Sequence, residues 1–229
     1  MSGVRVDHES YDHEEFLEKA RKGIHTIIRE SAVTKFLKEN VRAITEGAPG
    51  MARHTSFCSD DVNARGILKD GHIDHMVHLA IAAGVEPMTA IQMATINAAE
   101  AYQIDNQVGS IAPGKDADIL LVDQPGTFQI ETVISKGMLV TENGENRFNY
   151  VIPARDASLL HTVQHAPLTA DDFAYHVDLD EGTAVVETIN SIGPFMRKRR
   201  DVELKVQGGI VRPSAEKDVA LVSVIERYA

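Results

Sequence analysis

His54-Thr-Ser-Phe-Cys-Ser-Asp-Asp61 is a short apolar run that ends abruptly in two carboxylates. Strands buried in a parallel sheet are apolar along their length and show their chemistry where they emerge. Paired acids at a strand's carboxyl end therefore read as a catalytic rim. A second reading is that Ser59 and Asp60 only cap the helix that follows, both being favoured N-cap residues. The flanking segments bear on the choice.

Upstream, two further runs have the same shape. Val4 and Val6 alternate with Arg5 and Asp7 ahead of His8-Glu9-Ser10, a short strand with an ionisable end. Ile24-His25-Thr26-Ile27-Ile28 reads as a second strand and ends in Arg29-Glu30-Ser31. Between them, residues 12–22 place Phe16, Leu17 and Ala20 on one helical face, with Gly23 where a stop is expected. After the second strand, Val33, Phe36, Leu37, Val41 and Ile44 mark one continuous helical stripe, broken by Gly47-Ala48-Pro49-Gly50. Beyond Asp61 a polar loop leads to a helix carrying Ile73, Met76, Val77, Ala80 and Ile81.

Three strand-then-helix units with short connections imply an α/β fold with parallel strands, because parallel neighbours need a crossover and a helix is the usual one. All carboxyl ends then lie on one face, so Asp7-His8-Glu9, Arg29-Glu30 and Asp60-Asp61 are expected to converge. Capping alone would not require His8 and Arg29 at equivalent positions.

Composition narrows the function classes. With 229 residues, 43% of them hydrophobic, the chain can bury one sizeable core or two modest ones. A net charge of −11 argues against a nucleic-acid partner, whose phosphates call for a basic surface. No run approaches the roughly eighteen apolar residues of a membrane helix, and the N-terminus lacks signal architecture, so a cytoplasmic protein without a membrane partner is expected. The single cysteine, Cys58, excludes an internal disulfide and is assigned no chemistry.

Downstream, residues 86–102 continue helically with Pro87 in a first turn. They contain Ala94-Thr95-Ile96-Asn97-Ala98-Ala99-Glu100, which is followed by Gly109-Ser110-Ile111-Ala112-Pro113-Gly114-Lys115-Asp116-Ala117-Asp118-Ile119-Leu120-Leu121-Val122-Asp123. Pro113-Gly114 is a turn, Ile119–Val122 a buried strand, and Lys136-Gly137 a hairpin turn between Val133–Ser135 and Met138–Val140. After Asn143-Gly144, residues 145–167 read as a polar excursion. Strands are then expected at Thr183–Ile189, Val202–Val206 and Val219–Ile225, with Arg197-Lys198-Arg199-Arg200 as a solvated turn.

Thr95–Ala99 and the Gly109–Asp123 run resemble the end of the metal-dependent amidohydrolase superfamily, where the last barrel helices return the chain to a β-sandwich beside a TIM-like barrel. Within it, Arg5-Val6-Asp7-His8-Glu9, Ile27-Ile28-Arg29-Glu30-Ser31, Ser59-Asp60-Asp61 and Gly71-His72-Ile73-Asp74-His75 are most similar to the adenine deaminase family. The resemblance implies a partial TIM-like (β/α) barrel, its last three units, over 1–104, a β-sandwich segment over 105–150 and a truncated β-rich C-terminal domain over 151–229. It implies hydrolytic deamination of adenine, a step of purine salvage or adenine catabolism, at a divalent metal that lowers the pKa of water. The metal would be Mn2+ or Fe2+, or alternatively Zn2+, dinuclear in the complete enzyme. His8 matches a metal ligand at the end of the sixth barrel strand. Asp60 matches the acid of the last strand, both metal ligand and proton shuttle. A homo-oligomer is also expected.

Glu9, Arg29, Glu30 and Asp61 could orient ligands or hydrogen-bond the purine, or could simply pair with one another on the rim. His72 begins a helix on the active face and is a candidate substrate contact. His75 and His78 are read as surface or packing residues, because the third member of His72-x2-His75-x2-His78 turns away from the first on a helix of 3.6 residues per turn. His13, His25 and His54 are read as structural.

The departure from the family pattern is large. A complete barrel takes eight strands and about 250 residues, and only its last three units are found here. No two histidines lie two residues apart, so the family's first-strand His-x-His is absent, as are its fourth- and fifth-strand ligands. Two remaining ligands fall short of the three a catalytic metal needs. The chain therefore resembles a piece of the enzyme, with the missing barrel half supplied by a separate N-terminal polypeptide. The alternatives are another cyclic amidohydrolase, or a non-catalytic truncated remnant.

Overall fold

Three short strands, β1 (Val6–Asp7), β2 (His25–Arg29) and β3 (Thr55–Cys58), pair in parallel and in chain order. The computed structural model describes residues 3–160, 162–193 and 196–226; Met1 and Ser2, the start of the N-terminal reading, lie outside them. The chain divides into two units, Met1–Tyr150 and Val151–Ala229.

Helix α1 (His13–Arg21) makes the first crossover. Asp12 caps it by accepting the Glu15 amide at 2.8 Å, and the amides of Gly23 and Ile24 close its far end on Ala20 and Lys19. Its Lys19 ammonium reaches Asp7 at 2.6 Å and ties the helix to β1. The second crossover departs from the expected continuous helix: only α2 (Leu37–Asn40) is α-helical, followed by a π-helical turn over Ala43–Gly47 and a 3-10 turn over Pro49–His54. The Val33–Ile44 stripe fails at its start because Ser31 and Thr34 close a local turn. The Ser31 hydroxyl accepts the Thr34 amide at 3.0 Å, the Thr34 carbonyl accepts the Ser31 amide at 2.8 Å, and Val33 is left exposed.

After β3, the expected polar loop contains helix α3 (Ala64–Asp70), capped by Asn63, which accepts the Gly66 amide at 2.9 Å. It buries no residue, which is why it left no apolar stripe in the sequence. Helix α4 (Ile73–Ala82) buries Met76, Val77 and Ala80 as expected. Residues 86–102 form two helices rather than one, α5 (Pro87–Ala94) and α6 (Ile96–Ala101), separated at non-helical Thr95. The core gathers Phe16, Ile28, Leu37, Val41, Phe57, Met76, Val77 and Met93, each contributing about 1.5–3 kcal/mol by burial.

Asn97 explains part of the Thr95–Ala99 motif. It is buried, and its side-chain amide donates to the carbonyls of Ala52 (2.8 Å) and Thr55 (3.0 Å), at the entry of β3. Gly109 has φ +90°, and a Cβ there would lie 2.7 Å from the Ala99 Cβ, so only glycine lets the chain pass α6 this closely. The Pro113-Gly114 turn closes with the Lys115 amide on the Ala112 carbonyl.

Strands β4 (Ile119–Val122), β5 (Ile130–Ser135), β6 (Met138–Glu142) and β7 (Glu145–Asn146) form an antiparallel meander. Lys136 and Gly137 both have positive φ, as the expected two-residue hairpin turn requires. In the second unit, β8 (Glu181–Ser191) and β9 (Arg197–Gln207) pair along their whole length, and β10 (Ile210–Val211) joins β9. Val202, Leu204, Val206 and Val211 form a small core. Arg197–Arg200 are therefore strand residues rather than a turn, although Arg197, Lys198 and Arg199 are solvent-exposed. Of the expected strand Val219–Ile225, only Val219 makes a bridge, to Ser214; Val222 and Val224 are exposed, because alternation without a neighbouring edge does not make a strand. No helix among the described residues is long and apolar enough to cross a membrane.

Two expectations follow. Asn97→Ala should lower the stability read from urea unfolding by about 1–3 kcal/mol, because the Ala52 and Thr55 carbonyls each lose the Asn97 donor, although Ala52 keeps the Thr55 amide; a loss below about 0.5 kcal/mol would remove Asn97 as the tether of β3. The second concerns pH. Burial raises the pKa of Asp7, but the Lys19 hydrogen bond and charge and the Glu9 amide outweigh it and hold the carboxyl below its usual 3.8. The stabilisation is then complete above that value and lost as pH falls through the lower folded-state one. The difference in Tm between wild type and Asp7→Asn should be fully present at about pH 6–7 and shrink as pH falls below 3.8; a pH-independent difference would show that the pair has no such role.

Candidate active site

The parallel register brings the carboxyl ends of β1, β2 and β3 to one rim, and the rim is polar at all three. Its centre is Arg29, the last residue of β2 and only 3% exposed. A guanidinium cannot be buried unpaired at tolerable cost, and this one is paired on both sides. It donates to both Glu9 carboxylate oxygens, at 3.2 and 3.0 Å, and to Asp60 Oδ2 at 2.8 Å. Its central carbon lies 5.7 Å from the centre of the Phe36 ring. Burial alone would lower the Arg29 pKa; the Asp60 hydrogen bond and the charges of Glu9 and Asp60 outweigh it and raise it. Glu9 in turn lies 3.1 Å from His8 Nε2, so His8, Glu9, Arg29 and Asp60 form one chain of contacts across three strand ends.

Asp60 leaves β3 in the left-handed backbone region, φ +49°, which Asp tolerates better than most residues. The capping alternative for Ser59 and Asp60 does not hold: Asn63 caps α3, Asp60 faces Arg29, and the Ser59 hydroxyl lies 2.7 Å from His72 Nε2. Asp61 accepts the Ala32 amide at 3.0 Å, and hydrogen bonding from Ser31, followed by the backbone around Ala32, holds its carboxyl below the usual range. Glu30 is nearly buried and serves the second crossover: it accepts the Leu37 amide at 3.1 Å, capping α2, and lies 3.4 Å from the Lys35 ammonium. Cys58, half-buried behind the rim, has its thiol pushed up to about 11 by burial and by the Asp60 charge.

Six of the seven residues singled out in the sequence are therefore engaged in two separate groups. His8, Glu9, Arg29 and Asp60 are joined; Asp61 and Glu30 instead bind backbone of the 30–37 segment. Among the described residues His72 joins the rim through Ser59, whose part the sequence did not reveal. Ser59 and His72, with Glu30, Ser31, Asn63 and Met76, line a cavity of about 260 Å³ beside the strand ends. Of the remaining histidines, His78 packs on Phe128 and lies 3.2 Å from its carbonyl, His13 pairs with Glu39, and His25 contacts Ser56.

Imidazole and carboxylate are suitable ligand types for a divalent metal, but their number here is too small. Among the described residues no three His, Cys, Asp or Glu side chains come together as cation ligands, and His8 Nε2 and Asp60 Oδ2 already face Glu9 and Arg29. The residues of this chain taken by themselves do not fit a complete metal centre.

The sequence profile of the amidohydrolase family matches residues 5–140, from β1 through β6. Adenine deaminase 1 of Latilactobacillus sakei is 58% identical over 228 residues, Adenine deaminase 1 of Desulfotalea psychrophila 54% over 227, and Adenine deaminase 4 of Rhizobium meliloti 46% over 232. These alignments cover 99–100% of this chain and 38% of each relative, so the chain spans well under half the length of the proteins it matches. Among solved structures, the beta-aspartyl dipeptidase of Fervidobacterium islandicum AW-1 aligns with 63% of this chain and 41% of its own, at 20% identity and a TM-score of 0.49. The family match is continuous through the parallel strands that build the rim and into the meander that follows them: this chain belongs to the amidohydrolase family.

Proposed function

We propose that this chain is the part of an adenine deaminase that carries its last catalytic acid, Asp60. The observation that carries the reading is the 58% identity to Adenine deaminase 1 over the whole chain, in a segment whose third parallel strand delivers Asp60 to a polar rim. The three βα units would then be the end of a TIM-like barrel over 1–104, with 105–150 a sandwich segment and 151–229 the start of a further β-rich domain.

The reaction joins adenine and water to give hypoxanthine and ammonia. Water adds to the amino-bearing ring carbon, the carbon–nitrogen bond breaks, and the amine leaves with an added proton. Asp60 is suited to accept the proton of the attacking water and return it to the departing amine, since a positioned carboxylate can do both. His8 and Asp60 would be this chain's donors toward a dinuclear divalent centre, Mn2+ or Fe2+ in preference to Zn2+, whose other ligands would come from outside this chain and which would supply an activated water. Glu9, Glu30, Asp61 and His72 support the rim or contact the purine. A homo-oligomer in the cytoplasm, with the N-terminal barrel half on the same or a separate chain, completes the reading.

The test is a chimera in which this chain replaces the 228 matched residues of the Latilactobacillus sakei relative. It should convert adenine to hypoxanthine, and Asp60→Asn should lower kcat by about 10²–10⁴-fold, the usual weight of a general acid–base group. Turnover undiminished by Asp60→Asn would remove the assignment. A correctly folded, metal-loaded chimera without deaminase activity would remove the function.

A further inference from the structure

We infer that Arg29 is a positioning residue for Asp60: its buried guanidinium, clamped by Glu9, holds one oxygen of the Asp60 carboxylate and thereby fixes the orientation of the whole group. The clamp rests on geometry. Arg29 stands at the end of the middle strand, so its planar fork can meet a partner from the strand on each side. Both Glu9 oxygens accept from it, in the bidentate arrangement that holds a guanidinium in one plane. The donor toward Asp60 is the shortest of the three bonds, 2.8 Å to Oδ2. Among the described residues no hydrogen bond reaches Asp60 Oδ1.

Three consequences follow from the chemistry of the side chains. Arginine stays protonated at every working pH, so its hold on Asp60 does not lapse as pH changes. Its hold on Oδ2 fixes the plane of the carboxylate, so Oδ1 stays in one place. A lysine would conserve the charge but not the fork, and would have to choose between Glu9 and Asp60. Glu9 acts one step further out, by holding Arg29 rather than by touching Asp60.

The inference rests on the reading of Asp60 as the proton-transferring acid, and its test separates the two. In this chain labelled with 13C and 15N, the three-bond couplings of Asp60 Cγ report its χ1 angle. Wild type should show one staggered rotamer, and Arg29→Met and Arg29→Lys should show averaged couplings with the amide spectrum otherwise retained. Averaged couplings in wild type, or one unchanged rotamer in a folded Arg29 variant, would overturn the clamp. Should Arg29→Met not fold, the wild-type and Arg29→Lys couplings decide. In the chimera, Arg29→Lys should lower kcat about 10–100-fold while KM stays within about twofold, and added guanidinium should restore part of the kcat of Arg29→Ala. Unchanged kcat in Arg29→Lys would also overturn the inference. An inactive wild-type chimera counts against the deaminase reading alone, and the couplings then judge the clamp.

Discussion

A guanidinium buried at the end of a central strand has to be paired, and the rim of this protein is arranged around that requirement. Arg29 is 3% exposed, and its donors go to Glu9 on one side and Asp60 on the other. Leaving it unpaired would cost several kcal/mol, so the relative positions of the three strand ends are constrained by one side chain. The parallel register makes this possible: β3 runs level with β2 as far as Arg29, β1 ends opposite Thr26, and Glu9 and Asp60 follow these strand ends by two residues and meet the guanidinium from either side. Asn97 holds the entry of β3 from the opposite end by donating to two carbonyls there. Strand β3 is thus fixed at both ends, and Asp60 leaves it with little freedom.

Much of this was legible in the sequence, for a definable reason. Apolar runs that end in ionisable residues, separated by helical stripes, predict parallel strands with one polar rim, and His8, Glu9, Arg29 and Asp60 do meet there. Turn chemistry was equally readable, as at Lys136-Gly137. What periodicity could not show was local competition. Val33 fits the stripe of the following residues, yet the Ser31–Thr34 turn takes that segment out of the helix and Glu30 caps the helix later, at Leu37. Helix α3 was invisible for the opposite reason: with no buried face it shows no stripe, and only the Asn63 cap marks it. Pairing was the other limit, since Arg29 and Glu30 look alike as rim residues in sequence while one joins the Asp60 cluster and the other supports a crossover.

The charge of the rim narrows what it can receive. Glu9, Glu30, Asp60 and Asp61 share the rim with Arg29 and Lys35, and Arg29 is already committed to two of the four carboxylates. Such a rim attracts cations and repels anions, in a protein whose net charge is −11. The guanidinium at the centre of the rim is itself not available to an anion, because its donors are committed to Glu9 and Asp60, and the side chain that could have met a negative charge instead holds two of them in place. The basic side chains Arg65 and Lys69 lie apart from it, in the lining of the neighbouring cavity.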